Sequence, residues 1–425
     1  MSSGDPHGTI AAIWRIESPK LIATLSRMLR DVARAEDLAQ DAFVAALSQW
    51  PDEGIPRNPG AWLMTAARRR AIDQIRRNET QERVTLASPD LTLSPSKGVE
   101  PDFAAAYEEI DDDMLRLMFV ACHPVVSKEA HVALTLKLVG GLTTAEIARA
   151  FLVPEATIAQ RIVRAKRTLS EARVPFEVPS GPERLARLAS ILETVYLIFN
   201  EGYAATAGDD VLRPELVEDA LRLGRMLASL MPLESEVLGL VALMEIQASR
   251  MRARVGANGE PILLLDQDRG RWNRLLINRG LSALAKAERL DASLGPYALQ
   301  AAIAACHARA ATPAQTDWER IAALYDALGQ LMPTPVVELN RAVAVGMAFG
   351  PQAGLEIVDT LLDQQALRNY HLLPAVRADL LFKLRRLTEA RSEFERAAEL
   401  ARNTRDRTLL LARAAQCHPE AGREG

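Results

Sequence analysis

No stretch of this 425-residue chain shows the alternation of apolar and polar residues, rich in β-branched side chains, that indicates a β-strand. Aromatic residues make up only 5% of the chain, whereas the strong helix formers alanine, leucine and arginine are abundant. Both features predict an all-α protein. The helical periodicity predicts two small modules, the second a helix-turn-helix, followed by a large domain of helical repeats.

The composition excludes several classes of protein. A hydrophobic content of 48% and a charged content of 25% are typical of a soluble globular protein. The net charge is only −4, so any affinity for nucleic acid must come from a local patch. We find neither a signal peptide nor a long apolar run, and we therefore expect a cytoplasmic chain that does not contact a membrane.

The sequence shows no pattern typical of an enzyme. The three cysteines, Cys122, Cys306 and Cys417, are each followed directly by histidine, which is not the ligand spacing of a structural zinc site. A phosphate-binding loop, a nucleophile elbow and a dinucleotide fingerprint are also absent from the sequence. We therefore expect no catalytic residue, no metal and no cofactor.

Shifts in charge predict the domain boundaries. Residues 10–80 form a helical module, and residues 114–173 form a second one with nine basic against four acidic residues, a net charge of +5. Between them, residues 81–113 have nine acidic against two basic residues, a net charge of −7, together with several prolines, which is typical of a solvated linker. Residues 180–425 form the large helical domain.

Residues 142–169 carry the most specific pattern in the chain. Thr143 and Glu146 have the spacing of a capping box, and Pro154 stands where a second helix would begin. At about 100° per residue, one face of that second helix is apolar. The apolar residues are Ile158, Ile162, Ala165 and Leu169. The polar face holds Thr157, Gln160, Arg161, Arg164, Arg167 and Thr168. This arrangement predicts a helix-turn-helix whose second helix fits a major groove, although a basic face can also be merely solvated.

The same residues resemble the region-four helix-turn-helix of extracytoplasmic-function sigma factors of the sigma-70 family. The resemblance implies contact with the −35 promoter element. The implied contacts are Thr143, Thr144, Thr157, Gln160, Arg161, Arg164, Lys166 and Arg167. The family often has glycine in the turn, where this chain has Leu152.

The N-terminal module contains a helix with tryptophan and arginine on one side. Leu63, Ala67 and Ala71 lie on its apolar face, and Trp62 lies on the opposite side. Five arginines occur within residues 68–77, a density that favours binding to phosphates. Trp62 can stack on a base, or it can pack against a neighbouring helix.

This module resembles sigma region 2. Residues 35–50 are similar to the family's polymerase-binding helix, which docks on the β′ clamp helices of core RNA polymerase. The resemblance of residues 142–169 to region four implies that the β flap of core RNA polymerase is a further binding partner. The implied polymerase-binding residues are Asp37, Gln40, Asp41 and Phe43. Contacts to the −10 element are implied for Arg57, Asn58, Trp62, Arg68, Arg69, Arg70, Arg76 and Arg77.

Residues 180–425 exceed what a minimal sigma factor needs. The spacing of Ala390, Phe394 and Ala397 is similar to the second half of a tetratricopeptide repeat. Residues 113–124 and 196–203 resemble those of the sigma subgroup with a C-terminal tetratricopeptide-like extension. That resemblance implies that the extension contacts the sigma modules and regulates them. We interpret residues 196–203 as the end of a core helix with Gly202 as its terminator.

Two other classes of function remain open. One is a helix-turn-helix regulator with a helical-repeat sensor, which does not replace a sigma subunit. It leaves the paired acidic and tryptophan–arginine helices of residues 35–77 unexplained. The other is a protein-interaction scaffold whose basic helix is incidental.

Overall fold

The computed structural model describes residues 6–85, 103–203, 212–256, 260–401 and 403–417. Over these ranges the chain is built of helices and contains no strand, which confirms the all-α prediction. The chain divides into two compact units, Met1–Val195 and Tyr196–Gly425. Each unit has its own buried core.

In its described ranges, the first unit contains seven helices and the beginning of an eighth. In chain order they are α1 Pro6–Leu29, α2 Val32–Glu53, α3 Pro59–Thr85, α4 Phe103–Ala121, α5 Lys128–Leu134, α6 Thr144–Ala150, α7 Glu155–Glu171 and α8 Gly181–Tyr203. A single π-helical turn, Thr135–Val139, continues α5. Helix α8 begins in the first unit and ends in the second.

Helix α1 is the central element of the first unit, because it packs against α2, α3 and α4. Its fully buried residues Leu21 and Leu25 share the core of this unit with Leu117 and Phe119 of α4. Polar contacts also join the elements. Arg27 Nε of α1 lies 2.9 Å from Oδ2 of Asp113 on α4. The N-terminal and the helix-turn-helix modules are therefore packed together rather than separate.

The acidic linker is shorter than the charge pattern predicted. Residues 81–85 belong to α3, and residues 103–113 belong to α4. The fully buried Asp113 bonds to Arg27 and Arg116, so this acidic charge pairs with arginine instead of facing water. The rest of the predicted linker, residues 86–102, lies outside the described residues.

The second unit continues from the end of α8 with ten further helices in its described ranges. They are α9 Pro214–Leu230, α10 Ser235–Ala248, α11 Arg274–Leu290, α12 Pro296–Arg309, α13 Trp318–Leu331, α14 Pro335–Phe349, α15 Pro351–Thr360, α16 Leu372–Lys383, α17 Leu387–Leu400 and α18 Thr404–Ala415. From α12 onward each helix packs against the next in sequence, as expected of stacked helical pairs. The predicted repeat residues Ala390, Phe394 and Ala397 lie in the core formed by α14–α18.

Gly202 has a different role from the one predicted. It lies within α8, before the helix ends at Tyr203, and its φ is not positive. A Cβ atom at this position would lie 2.7 Å from the backbone N of Val217. Gly202 therefore lets α8 approach the first turn of α9 closely, a requirement that the sequence of α8 alone does not show.

Candidate nucleic-acid interface

Helices α6 and α7 form the predicted helix-turn-helix. The capping box is present, since the Thr143 side chain accepts from the Glu146 amide and the Glu146 carboxylate accepts from the Thr143 amide. The turn places Leu152 at φ +51°, in the left-handed region that glycine favours. Its side chain is 58% exposed. Leucine thus keeps the turn that glycine would form, at a cost of about 1 kcal/mol.

Helix α7 has the two faces that its sequence predicted. All four apolar residues, from Ile158 to Leu169, are buried. On the opposite face Thr157, Gln160 and Arg164 are exposed, and Arg161 is half-buried. Pro154 was predicted to be the first helical residue of α7, but it is the N-cap, and the helix begins at Glu155. The first turns of α7 therefore present polar side chains to solvent.

Three of the other predicted −35 residues have partners inside the protein. The exposed Arg167 lies 2.7 Å from the Glu171 carboxylate, one turn along the same helix. Thr143 is exposed, but its hydroxyl is part of the capping box. Lys166 is oriented differently, because its Nζ pairs with the carboxylate of Glu36 on α2. Thr144, at the start of α6, is half-buried.

Glu36 joins the two modules through a buried carboxylate. It is 2% exposed and contacts Lys166 of α7, Lys137 of the π-helical turn, at 3.6 Å, and the Gln40 side chain, which donates to it at 3.0 Å. Burial lowers the pKa of Lys137, and it lowers the pKa of Lys166 to about 8. Because these charges are removed from water, each depends on its partners for stabilisation.

A second contact lies beside this carboxylate. The Asp31 carboxylate accepts hydrogen bonds from the Ala33 and Arg34 amides at the start of α2. The Ser170 hydroxyl of α7 lies 3.4 Å from Oδ2 of the same carboxylate. The side of α7 that carries Lys166 and Ser170 therefore faces α2. The exposed side that carries Gln160 and Arg164 remains open to a ligand.

Helix α3 and the loop before it carry the residues predicted for the −10 element. Trp62 is half-buried and packs edge-on against Trp50 with ring centroids 5.3 Å apart, as the packing interpretation predicted. Arg57 and Asn58 are exposed, and the Asn58 side chain also caps α3 by accepting from the Ala61 amide at 3.1 Å. The arginines follow Trp62 along the same helix.

The α3 arginines differ in exposure. Arg68, Arg69 and Arg76 are exposed, whereas Arg70 is half-buried with its Nη1 atom enclosed. Arg77 lies on α3, but its side chain is outside the described part of the structure. The exposed arginines form a basic surface that can neutralise phosphates.

The outer face of α2 carries the predicted polymerase-binding residues. Asp37, Gln40 and Asp41 are exposed at helical spacing, and burial together with the charges of Asp41 and Asp31 raises the pKa of Asp37. Val44 extends this face by one turn and is 60% exposed, a feature that the sequence analysis missed. The spacing of 37, 40, 41 and 44 could have revealed it. Phe43 points elsewhere and stacks on Trp14 at 4.6 Å.

The beginning of α8 packs on the helix-turn-helix module within the first unit. Arg187 is buried, donates to the backbone oxygen of Phe119 at 2.9 Å and lies over the Phe119 ring. The Cys122 thiol lies 3.6 Å from the Thr194 hydroxyl, and burial raises its pKa. Residues 181–195 are therefore part of the structure that supports the module.

The chain matches three family models. Sigma-70 region 2 matches residues 13–81, which contain all of α2 and most of α1 and α3. Sigma-70, region 4 matches residues 116–169, which end within α7. A family of unknown function, DUF6596, matches residues 187–288.

The chain is similar to several bacterial proteins. An uncharacterized protein, R00370, of Rhizobium meliloti is 44% identical over 394 residues, 92% of each chain. A probable ECF RNA polymerase sigma factor, SigI, of Mycobacterium tuberculosis is 27% identical over 210 residues, 47% of this chain and 69% of its own. The ECF RNA polymerase sigma factor SigK of Mycobacterium bovis is 23% identical over 168 residues, 39% of this chain and 87% of its own.

The chain belongs to the extracytoplasmic-function sigma factors. Both sigma regions are present in the family's order, and the helical extension follows them. The match to region 2 explains residues 35–77, which a helix-turn-helix regulator left unexplained. Among the described residues of this sigma factor, no helix is long and apolar enough to cross a membrane.

We predict that Glu36→Ala loosens α7 from α2. The substitution leaves Lys166 and Lys137 without their buried carboxylate, which should cost about 3 kcal/mol. Hydrogen–deuterium exchange of the full-length sigma factor should then show α7 amides exchanging about 100-fold faster, since each 1.4 kcal/mol is about tenfold. Asp37→Ala removes the adjacent, exposed carboxylate and is the matched control. Equal exchange in both variants would show that Glu36 does not hold α7.

Proposed function

We propose that this sigma factor directs core RNA polymerase to promoters by reading a −35 element with α7 and a −10 element with α3. Its two sigma regions and its similarity to proteins named as ECF RNA polymerase sigma factors support a role in transcription initiation. The assignment of contacts to residues is our proposal. The observation that carries it is the division of α7 into a buried apolar face and an exposed polar face.

The −35 contacts are proposed for the exposed face of α7. Gln160, Arg161 and Arg164 have side chains that form hydrogen bonds with base edges in a major groove, and each good bidentate contact discriminates by about 1–3 kcal/mol. Thr157 and Arg167 are placed for contacts to the backbone. Lys166 can reach a phosphate only after it leaves Glu36.

The −10 contacts are proposed for the loop before α3 and for its exposed arginines. Arg57 and Asn58 lie in the loop, and Arg69 and Arg76 lie on the helix beyond it. Trp62 has one side against Trp50, so a flipped base would stack on the part of the indole that remains exposed. Single-stranded DNA is bound in this way by aromatic side chains beside cationic ones.

Polymerase binding is proposed for the outer face of α2. Asp37, Gln40 and Asp41 offer carboxylate and amide groups to a basic partner, and Val44 adds an apolar contact on the same face. This mixture of one exposed apolar side chain and a polar surround is typical of a protein interface. Phe43 supports the face from behind through its contact with Trp14.

The spacing of the two promoter elements requires the modules to separate. The nominal positions −35 and −10 are about 25 base pairs apart, or about 85 Å at 3.4 Å per base pair. In the first unit α7 contacts α2, which packs against α3. We therefore propose that the packed unit is a resting state, and that the contacts of Glu36 with Lys166 and Lys137 break when polymerase and promoter bind.

We predict that Arg161→Ala weakens binding selectively at one −35 base pair, by about 1–3 kcal/mol. Arg76→Ala should weaken binding evenly across promoters and reduce the slope of log affinity against log salt by about one, because it removes one phosphate contact. Affinities of the holoenzyme for a library of −35 variants at several salt concentrations would measure both. Arg173→Ala, an exposed residue beyond the end of α7, is the control. An equal loss on every promoter for Arg161→Ala would contradict base reading by this residue.

We further propose that the extension modulates the activity of the sigma regions. Its first residues, 181–195, already pack against Phe119 and Cys122 of the second module. A truncation that removes α8 would therefore disturb this module directly. A truncation after Tyr203 keeps the whole helix and is the better test.

We predict that truncation after Tyr203 changes promoter-dependent transcription by purified core polymerase severalfold. The matched control ends at Cys417 and removes only the last eight residues, 418–425. Transcription that is the same for both truncations would contradict a modulatory role of the extension. Specific duplex binding by the full-length protein without any transcription would favour a helix-turn-helix regulator instead.

A further inference from the structure

Three arginine side chains gather around two aromatic rings in the second unit. The guanidinium carbon of Arg254 lies 3.8 Å from the ring centre of Tyr203. Those of Arg250 and Arg269 lie 5.7 Å and 5.1 Å from the ring centre of Trp272. Tyr203 ends the 196–203 segment that the sequence analysis singled out. We call these three arginines, with Tyr203 and Trp272, the arginine cluster.

Hydrogen bonds hold the arginine cluster in place. The Tyr203 hydroxyl accepts from Arg250 Nη2 at 2.8 Å, and the Tyr203 backbone oxygen accepts from Arg254. Arg269 donates to the backbone oxygens of His307 and Ala310, at 2.7 Å and 2.6 Å. These acceptors are all neutral, so they orient the guanidinium groups without balancing their charge.

Among the residues that the structure describes, the positive charge of the cluster has no close counter-ion. Within the described ranges, no carboxylate lies within ion-pair distance of Arg250, Arg254 or Arg269, and Asp406 acts on Arg254 only from farther away. Burial, followed by the nearby charges of Arg250 and Arg269, lowers the pKa of His307 to about 4. Buried charges of one sign are costly unless an opposite charge compensates them.

Several buried donors of the cluster also lack an acceptor in the described structure. They are the indole Nε1 of Trp272 and the Nε atoms of Arg250 and Arg269. Trp272 is 3% exposed and Arg269 is 6% exposed. Buried donors are normally satisfied by an acceptor, and an anion supplies acceptor atoms and negative charge together.

We propose that the arginine cluster is a binding site for a small oxyanion, a ligand that carries a phosphate or carboxylate group. Arg250 and Arg254 are half-buried and provide the solvent-accessible side of the site, whereas Arg269 and Trp272 form its buried side. Guanidinium groups bind both kinds of oxyanion through paired, charge-assisted hydrogen bonds. The site lies in the extension and does not depend on the proposed promoter contacts.

Thermal unfolding of the full-length protein tests the site with two probes, inorganic phosphate and succinate, at constant ionic strength. A ligand that binds only the folded state stabilises it. A saturating probe should therefore raise the midpoint temperature of thermal unfolding of the second unit by about 5 °C. The shift should saturate with concentration. A response to phosphate alone identifies a phosphate ligand, a response to succinate alone identifies a carboxylate ligand, and a response to both identifies a general oxyanion site.

Two variants separate a binding site from a structural cluster. Arg250→Gln keeps a donor to Tyr203 but removes a charge, and it should abolish the saturable shift. Arg252→Gln removes an exposed arginine two residues away and should preserve it. Chemical shifts of the His307 ring in wild-type protein should also show its pKa rising when the probe binds. No saturable shift in wild-type protein, or an equal shift in the Arg250 variant, would overturn the proposal.

Discussion

The arrangement of the first unit depends on one buried carboxylate. Glu36 lies on the helix proposed to bind polymerase, and Lys166 lies on the helix proposed to read DNA. Lys137, from the turn between α5 and α6, completes the contact. Because Glu36 is buried and both lysines are mostly buried, loss of this carboxylate should destabilise the packed state more than loss of a surface ion pair would. The same contact occupies Lys166, so under the proposed −35 contacts we expect packing of the modules to compete with promoter binding.

The helix-turn-helix was predictable because its signals are local. The period of 3.6 residues assigned the four buried residues of α7 correctly, and the spacing of Thr143 and Glu146 identified the capping box. The left-handed turn at Leu152 follows from its place between the two helices rather than from its side chain. Local geometry therefore determined the shape of this part of the site.

The sequence failed where contacts join residues that are distant along the chain. The resemblance implied that Lys166 contacts the −35 element, but its partner Glu36 lies 130 positions earlier in the chain. The resemblance implied a polymerase contact for Phe43, whereas the structure stacks it on Trp14, and Gly202 is required by α9 rather than by its own helix. The acidic run up to Asp113 was interpreted as a linker because composition does not show that Arg27 lies opposite.

Separation of α2 from α7 on the promoter is the central claim, and the distance between them tests it most directly. Spin labels at Gln49→Cys and Glu171→Cys would sit on exposed positions of the two helices, while the three native cysteines are buried. Double electron–electron resonance on the free protein should give a distance between the two spin labels below about 35 Å, because α2 and α7 are short and in contact. In the complex with core polymerase and promoter DNA, we predict a distance beyond about 50 Å. An unchanged distance in a transcriptionally active complex would contradict the account.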